Sequence, residues 1–194
     1  KEYRRQRQMC IRDRASRDRT PVSPARHPCE NGGDGFIYSG NAKENNMASE
    51  KPAVRISLGT WDRLRDDASS VRYEVFVIEQ NVPPEVEMDD DDAVSVHAVA
   101  YAADGTPLGT GRLLPDGHIG RMAVHKRARG LGVGGLLLDA LIGQGHGDGH
   151  RMLVLHAQTH AKGFYEAHGF SVEGEEFIEA GIAHVVMTLS LIHI

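Results

Sequence analysis

Cysteine is nearly absent from this chain: the 194 residues include two, Cys10 and Cys29. From position 47 onward there is therefore no thiol for a disulfide, a zinc site or a nucleophile. Tryptophan occurs once, and no uninterrupted apolar stretch approaches the roughly 18 residues a membrane-spanning helix needs. The N-terminus is charged without a following apolar block, so a cleaved secretory signal is not expected. These absences point to a cytoplasmic protein with no membrane partner. What is present, 40% hydrophobic and 25% charged residues, describes a soluble globular chain of about one domain.

Charge divides the chain. Residues 1–46 hold ten Lys and Arg against six Asp and Glu, whereas residues 47–194 hold twelve against twenty-one. The first segment is poor in branched aliphatic residues and has no helical or strand period, so it cannot bury enough apolar area to offset the entropy of ordering. Its arginines lack interleaved aromatics, a poor signal for nucleic acid, and no nucleic-acid partner is expected. Arg4 to Arg14 (RRQRQMCIRDR) resembles a translated sequencing adapter, and the closing LSLIHI resembles the opposite strand of the same adapter. The expected organisation is a disordered, non-native extension over 1–46, one domain over 47–188, and a non-native tail over 189–194.

Within the domain, Ala53 to Leu58 alternates apolar and polar residues and predicts a strand. Trp61 to Glu79 has apolar positions three and four apart, predicting one helix or a broken pair. Asn81 to Asp92, with two prolines and a run of acids, reads as a loop. Val94–Ala102, Leu108–Leu114 and His118–His125 read as strands of an antiparallel meander, separated by Asp104-Gly105 and Asp116-Gly117 turns. A helix over Leu131–Gln144, a strand over Met152–Ala157, a helix over Ala161–His168 and a strand pair, Phe170–Val172 with Ala183–Leu189, complete the pattern.

The segment that carries chemistry runs from Ile119 to Leu138. An apolar strand leads into His125-Lys126-Arg127-Ala128-Arg129, then Gly130-Leu131-Gly132-Val133-Gly134-Gly135, then a helix. Glycines at a helix start let main-chain N–H groups approach a ligand without Cβ interference, and the helix dipole favours an anion there. Lys126, Arg127 and Arg129 add positive charge in an otherwise acidic domain, so a phosphorylated ligand is expected. Gly130, Gly132 and Gly135 formally satisfy a dinucleotide fingerprint, but a meander precedes them and the next strand ends at His156-Ala157-Gln158 without an acid. No Lys-Ser or Lys-Thr follows the glycines, so the phosphate loop of nucleotide hydrolases is absent. The i, i+4 pairs His146/His150 and His156/His160 stand without an HExxH or EF-hand context, so no metal is expected.

Arg129-Gly130-Leu131-Gly132-Val133-Gly134 resembles the (Q/R)xxGx(G/A) motif of the GNAT superfamily of N-acetyltransferases. The likeness extends over residues 53–188 to an ElaA-like branch through Arg72, Val75-Phe76-Val77, Glu79-Gln80, Val82-Pro83, Glu87, Asp89, His97, Gly111-Arg112, Ile119-Gly120-Arg121, Ala157-Gln158, Phe164-Tyr165, Gly169-Phe170, Gly181-Ile182 and His184. The resemblance implies an α+β GNAT acyl-CoA N-acyltransferase fold. Its mixed, mostly antiparallel sheet would splay at the strand before the glycine loop, with helices flanking it.

It further implies acetyl-CoA as co-substrate and a small-molecule amine as acceptor. Met122, Ala123 and Val124 would line the pantetheine arm, and Arg129, Gly130, Leu131, Gly132, Val133, Gly134 and Gly135 would hold the pyrophosphate. Gln158 would reach the arm from the neighbouring strand, while Lys126 and Arg127 are candidates for the adenosine phosphate or are plain solvated charges. Tyr165 would hydrogen-bond the departing thiolate. An alkylamine with a pKa near ~10.4 is only about 0.04% neutral at pH 7, so a base or a lowered amine pKa is needed. Relatives often carry a Glu on the splayed strand, and His118 to Val124 contains none; Glu79, His97, His118 and His184 are the candidates. The acids Glu79, Glu87 and Asp89 to Asp92 either border the acceptor cleft or form a solvated loop. A non-catalytic acyl-CoA-binding module and an acyltransferase using a carrier-linked donor, the latter by likeness of VFVIEQ to autoinducer synthases, stand as alternatives. A homodimer stays open.

Overall fold

The computed structural model describes residues 53–87 and 89–192, apart from the side chain of Val86. The expectations for residues 1–46 lie outside the described residues. Seven strands form one mixed sheet: β1 (Arg55–Gly59), β2 (Val96–Tyr101), β3 (Pro107–Leu113), β4 (His118–Val124), β5 (Met152–Gln158), β6 (Ser171–Glu179) and β7 (Ile182–Ser190). Their spatial order is β1-β2-β3-β4-β5-β7-β6, with β4 and β5 the parallel pair and the other neighbours antiparallel. The two Asp-Gly turns close the meander as expected, with Gly105 and Gly117 at φ 84° and 88°, a region glycine enters without a Cβ penalty.

Helix α1 (Trp61–Arg72) continues directly into a π-helical stretch, Tyr73–Glu79, so the expected broken helix is one helix that widens. It buries Leu64, Ala68, Val71 and Arg72. A short α2 (Pro84–Glu87) lies within the segment expected to be loop, and a 3-10 turn, Asp90–Val94, begins there and takes in Val94, so that β2 starts at Val96 rather than at Val94. After β4 come a 3-10 turn, Lys126–Ala128, and α3 (Val133–Gly147). A second 3-10 turn, Thr159–Ala161, and the short α4 (Lys162–Glu166) follow β5.

Alternate residues of β2 belong to different clusters, which places the helices on opposite faces. Val99 and Tyr101 pack with Leu64 and Ala68 of α1, whereas Ala98 and Ala100 join Leu137, Leu138 and Leu141 of α3. Helix α3 holds five glycines, each costing up to about 1 kcal/mol relative to alanine. Its three fully buried leucines each contribute about 1.5–3 kcal/mol, so packing rather than propensity holds the helix. The glycines also let it run past the expected end: a Cβ on Gly145 would stand 2.8 Å from Leu153 Cδ2.

The largest departure from the sequence reading is the last hairpin. β6 reaches Glu179 instead of stopping at Val172, and Ala180 and Gly181, at φ 50° and 77°, make its turn. The acidic run Glu173 to Glu176 hid the strand, because it faces solvent on an edge. β7 also continues past Thr188 to Ser190. Leu189 and Leu191, expected to lie in the tail beyond the domain, are 8% and 4% exposed, and Leu191 N–H donates to the Arg151 carbonyl at 2.8 Å.

Candidate functional site

The sheet opens between β4 and β5. They pair only at His118 with Val154 and Ile119 with Leu155, after which β5 continues along β7 to Gln158 while β4 diverges. The other edge of β4 carries a bulge against β3 between Thr110 and Arg112, with Arg121 at φ 53°. A bulge re-aims the chain and leaves groups outside the ladder. Glycines on β3 make room for this: a Cβ on Gly111 would stand 2.9 Å from Leu141 Cδ1, and one on Gly109 would stand 2.9 Å from the Ala123 carbonyl oxygen. Met122 and Val124 pack on the α3 side, and Ala123 packs against Val71 and Val75 on the α1 side. Across the opening, Gln158 Nε2 donates to Gln80 Oε1 at 3.1 Å, linking the end of β5 to the end of the π-helical stretch.

The glycine loop lies where β4 ends. Gly130 and Gly132 have φ of 76° and 84°, and a Cβ on either would meet nothing within 4 Å. Gly134 and Gly135 face α4 and the residues after it: a Cβ there would stand 3.5 Å from Phe164 Cζ and 3.1 Å from His168 Nε2 respectively. Among the described residues, no main-chain carbonyl accepts the N–H groups of Gly130, Leu131, Gly132, Val133, Gly134 or Gly135, while Leu136 N–H begins the α3 ladder at Gly132. Six adjacent donors at the N-terminus of a 15-residue helix form a cradle for an anion. Val133 is buried and Leu131 is exposed.

Arg129 and Glu79 meet. Two guanidinium nitrogens bond the Glu79 carboxylate at 2.6 and 2.7 Å, and Arg129 Nε donates to the Val124 carbonyl at 3.0 Å. The hydrogen bond from Arg129 holds the Glu79 carboxyl below its ordinary range. Glu79, a candidate base, is thus held at the glycine loop by a cation. Lys126 and Arg127 are exposed beside them.

His97 does not reach the opening. It is 1% exposed under Trp61, with ring centroids 4.7 Å apart, and its Nε2 donates to the Asp92 carbonyl at 2.9 Å. Burial pushes its pKa down, so the ring is neutral. Its role is packing and positioning of the Asp89–Asp92 turn. Tyr165 is buried on α4 between Phe164 and Phe170, and burial raises its pKa to about 12. Among the described residues its hydroxyl has no hydrogen-bond partner, which leaves a protonated phenol with an unspent donor.

His184 belongs to a row of rings on the face of the sheet opposite α3. His118 on β4, His156 on β5, Phe177 on β6 and His184 on β7 follow one another at centroid distances of 6.3, 5.0 and 5.9 Å. His184 Nδ1 donates to the Ile182 carbonyl at 2.8 Å. His156 Nδ1 lies 3.1 Å from Glu179 Oε2, and His118 Nδ1 lies 3.1 Å from Asp116 Oδ1. The sequence reading named His118 and His184 as candidate bases, with His156 weighed only as a metal ligand and Glu179 not at all. Glu179 lies in the strand hidden by its acidic neighbours, and only the β5–β7–β6 pairing brings it to His156.

The solvated-loop expectation fails for Glu87, Asp89 and Asp92. They meet three arginines in a mostly buried network. Arg72 donates to Glu87 Oε1 at 2.5 Å and to Asp92 Oδ1 at 2.7 Å, Arg112 to Asp89 Oδ1 at 2.5 Å and Asp92 Oδ1 at 2.6 Å, and Arg121 to Asp89 Oδ2 at 2.7 Å. Burial pushes the Glu87 carboxyl up despite its arginines. For Asp92 burial acts the same way, but the bonds and charges of Arg72 and Arg112 outweigh it and lower the pKa. This balanced cluster ties the segment after the π-helical stretch to the bulge at Arg121. Among the described residues, no group of three or more His, Cys, Asp or Glu is arranged to hold a metal ion, and no helix is long and apolar enough to cross a membrane.

Comparison with known proteins agrees with this fold. The family model described as an acetyltransferase (GNAT) domain matches residues 64–191. A Bacillus subtilis protein named uncharacterized N-acetyltransferase YjcF is 44% identical over 125 residues, 62% of this chain and 89% of that protein. An acyl-CoA N-acyltransferase from Pseudomonas aeruginosa superimposes with a TM-score of 0.63 at 30% identity, covering 71% of this chain and 99% of that one. Escherichia coli ElaA does so with a TM-score of 0.63 at 25% identity, over the same shares of the two chains.

Proposed function

This chain belongs to the GNAT acetyltransferase family, and from that premise we propose that it transfers the acetyl group of acetyl-CoA to a primary amine of a small acceptor, by direct attack in a ternary complex. The observation that carries the reading is the run of main-chain N–H groups from Gly130 to Gly135 that no main-chain carbonyl among the described residues accepts, placed where β4 parts from β5. A diphosphate is an anion of the right size for such a cradle, and the opening beside it leaves main-chain groups of β4 able to pair with an extended arm as a strand would.

In this reading the amides of Gly130 to Gly135 hold the pyrophosphate, and Arg129 shapes the loop through Glu79 and the Val124 carbonyl. Met122, Ala123 and Val124 line the pantetheine on one side and Gln158 on the other. The amine attacks the acetyl carbonyl, the C–S bond breaks, and the Tyr165 hydroxyl hydrogen-bonds the sulfur as it gains charge. The phenol's high pKa keeps the donor in place across the whole working range. With no cysteine beyond position 29, the acetyl group passes without a thioester on the protein.

The test is incubation with acetyl-CoA and a panel of amines comprising putrescine, spermidine, tyramine, kanamycin and a short peptide with a free α-amine, read by a thiol reagent. CoA release that depends on one of these amines is the expected result. Tight acetyl-CoA binding with no release for any of them would favour a non-catalytic acyl-CoA module instead.

A further inference from the structure

We propose that His156, backed by Glu179 and faced by His118, is the general base that takes the proton from the acceptor amine; the inference rests on the acetyltransferase reading and adds the residue that reading lacks. No carboxylate occupies β4 from His118 to Val124. Two imidazoles instead stand at the point where the sheet parts. His118 is paired with Val154, in the last two positions at which β4 and β5 touch, and His156 lies two residues further along β5, on the same face. Their ring centroids are 6.3 Å apart and perpendicular.

Each imidazole has a carboxylate behind it. Glu179 Oε2 stands 3.1 Å from His156 Nδ1, so Nδ1–H donates to the carboxylate and Nε2 is left as the acceptor. Asp116 Oδ1 accepts the main-chain N–H of His118 and stands 3.1 Å from its Nδ1, near enough for charge attraction but out of line for a hydrogen bond. The ring of Phe177 packs edge-on to His156 at 5.0 Å and limits its rotation. Asp116, Glu179, His118 and His184 are the titratable groups in this row, β6 also carries Glu173, bonded to Thr188, with Glu175 and Glu176, and Arg121 is the cation of β4, directed at Asp89 instead.

Where the strands part, the space over Gly120 is an open hollow. Gly120 follows Ile119 at the parting of the strands, and a Cβ there would meet nothing within 4 Å. The side chain of His156 is 40% exposed. An ammonium entering the hollow meets imidazole nitrogen with anionic backing, and the thioester carbon lies at the parting of the strands in the reading above. The ammonium gives one proton to His156 Nε2, which passes it to solvent. The nitrogen lone pair then forms the C–N bond as the C–S bond breaks onto sulfur, and the second nitrogen proton ends on the thiolate as CoA thiol.

Glu79 and His97 are unsuited to this step, the first being bound to Arg129 and the second neutral and enclosed under Trp61. His184 stands two rings beyond His156 in the row, past Phe177, with Nδ1 held by Ile182.

The experiment has two parts on the full chain. Imidazole signals are followed by proton–nitrogen NMR with and without acetyl-CoA, and assigned by their loss in His156→Gln and His118→Gln. Acetyl-CoA is expected to move both. Turnover is read as CoA release, with the accepted amine of the panel or with water where none is accepted. His156→Gln is expected to lose ~100-fold in kcat/KM near neutral pH, lose the acid limb of the pH profile, recover in part with added imidazole, and bind acetyl-CoA as the parent does. Glu179→Gln is expected to lose less, ~10-fold, with its limb displaced. Unmoved signals in the presence of bound acetyl-CoA, or a His156→Gln protein with parental turnover and pH profile, would overturn the proposal. Failure of the parent to bind acetyl-CoA would instead refute the acetyltransferase reading on which it rests.

Discussion

Tyr165 illustrates how one residue's chemistry follows from its surroundings. Packed between Phe164 and Phe170, its hydroxyl is largely desolvated and gains no partner among the described residues, so the charged form is disfavoured and the pKa rises to about 12. Tyr101 also rises to about 12, by burial first and then by its 2.6 Å bond to Asp67. Both folded values lie above the unfolded one near 10, so their stabilising contribution is complete below about pH 10 and is lost as pH climbs through about 12. Alkaline difference absorbance should show late tyrosine ionisation, with one component missing in Tyr165→Phe. The same variant should retain acetyl-CoA affinity and turn over ~10–100-fold more slowly; full activity would remove the hydroxyl from the reaction.

Gly120 supplies a second test at this scale. Its φ is ordinary and its side-chain position is empty, so Gly120→Leu is expected to leave the melting temperature nearly unchanged while filling the hollow where the strands part. Amine-dependent CoA release should fall at least ~10-fold with acetyl-CoA binding kept, as measured by calorimetry beside the activity assay. A variant that works normally would place the acceptor elsewhere.

Among the elements, those with local signals were legible in the sequence. The meander of β2, β3 and β4 was read from its two Asp-Gly turns, and the strand–glycine loop–helix unit from composition alone. β6 was cut short, because its partner face and its acidic run make no period of two. The buried ion network was hidden for a different reason: four aspartates in a row look solvated, and only the placement of Arg72, Arg112 and Arg121 beneath them makes Asp92 2% exposed. The likeness to ElaA-like sequences had named most of those residues, without their physical task.

That task gives a prediction for the segment. Removing one partner from a buried charge cluster leaves an uncompensated ion, so Arg112→Met should destabilise the protein by about 3–5 kcal/mol in urea unfolding. A loss under about 1 kcal/mol would mean the cluster is wet. The depressed Asp92 carboxyl and His97 imidazole add acid sensitivity. Each contributes stability above its unfolded pKa, and that contribution is lost as pH falls through its folded value, whereas the raised Glu87 carboxyl acts in the opposite sense. The glycine loop differs again. Gly132→Ala forces a Cβ into the left-handed region at φ 84°, costing about 1–2 kcal/mol, and should weaken cofactor binding besides.

At the scale of the whole molecule, one sheet divides the labour. Its β1–β4 half is clamped between α1 and α3 and carries the charge network, while β5, β7 and β6 carry all of the row of rings but His118. The parting between β4 and β5 is where the two halves face each other, and Gln80 with Gln158 and the rings of His118 and His156 are the contacts that span it. A ligand that lies along this parting touches both halves, which is why an anion cradle at one end and a proton acceptor at the other can serve one reaction.

The most direct measurement is amide proton–nitrogen NMR of the protein titrated with CoA and, separately, with acetyl-pantetheine, which lacks the diphosphate. The account predicts that CoA moves the amides of Gly130 to Gly135 strongly while acetyl-pantetheine moves those of Met122 to Val124 and leaves the glycines in place. Glycine amides that stay put with CoA bound, or that respond equally to both compounds, would contradict it.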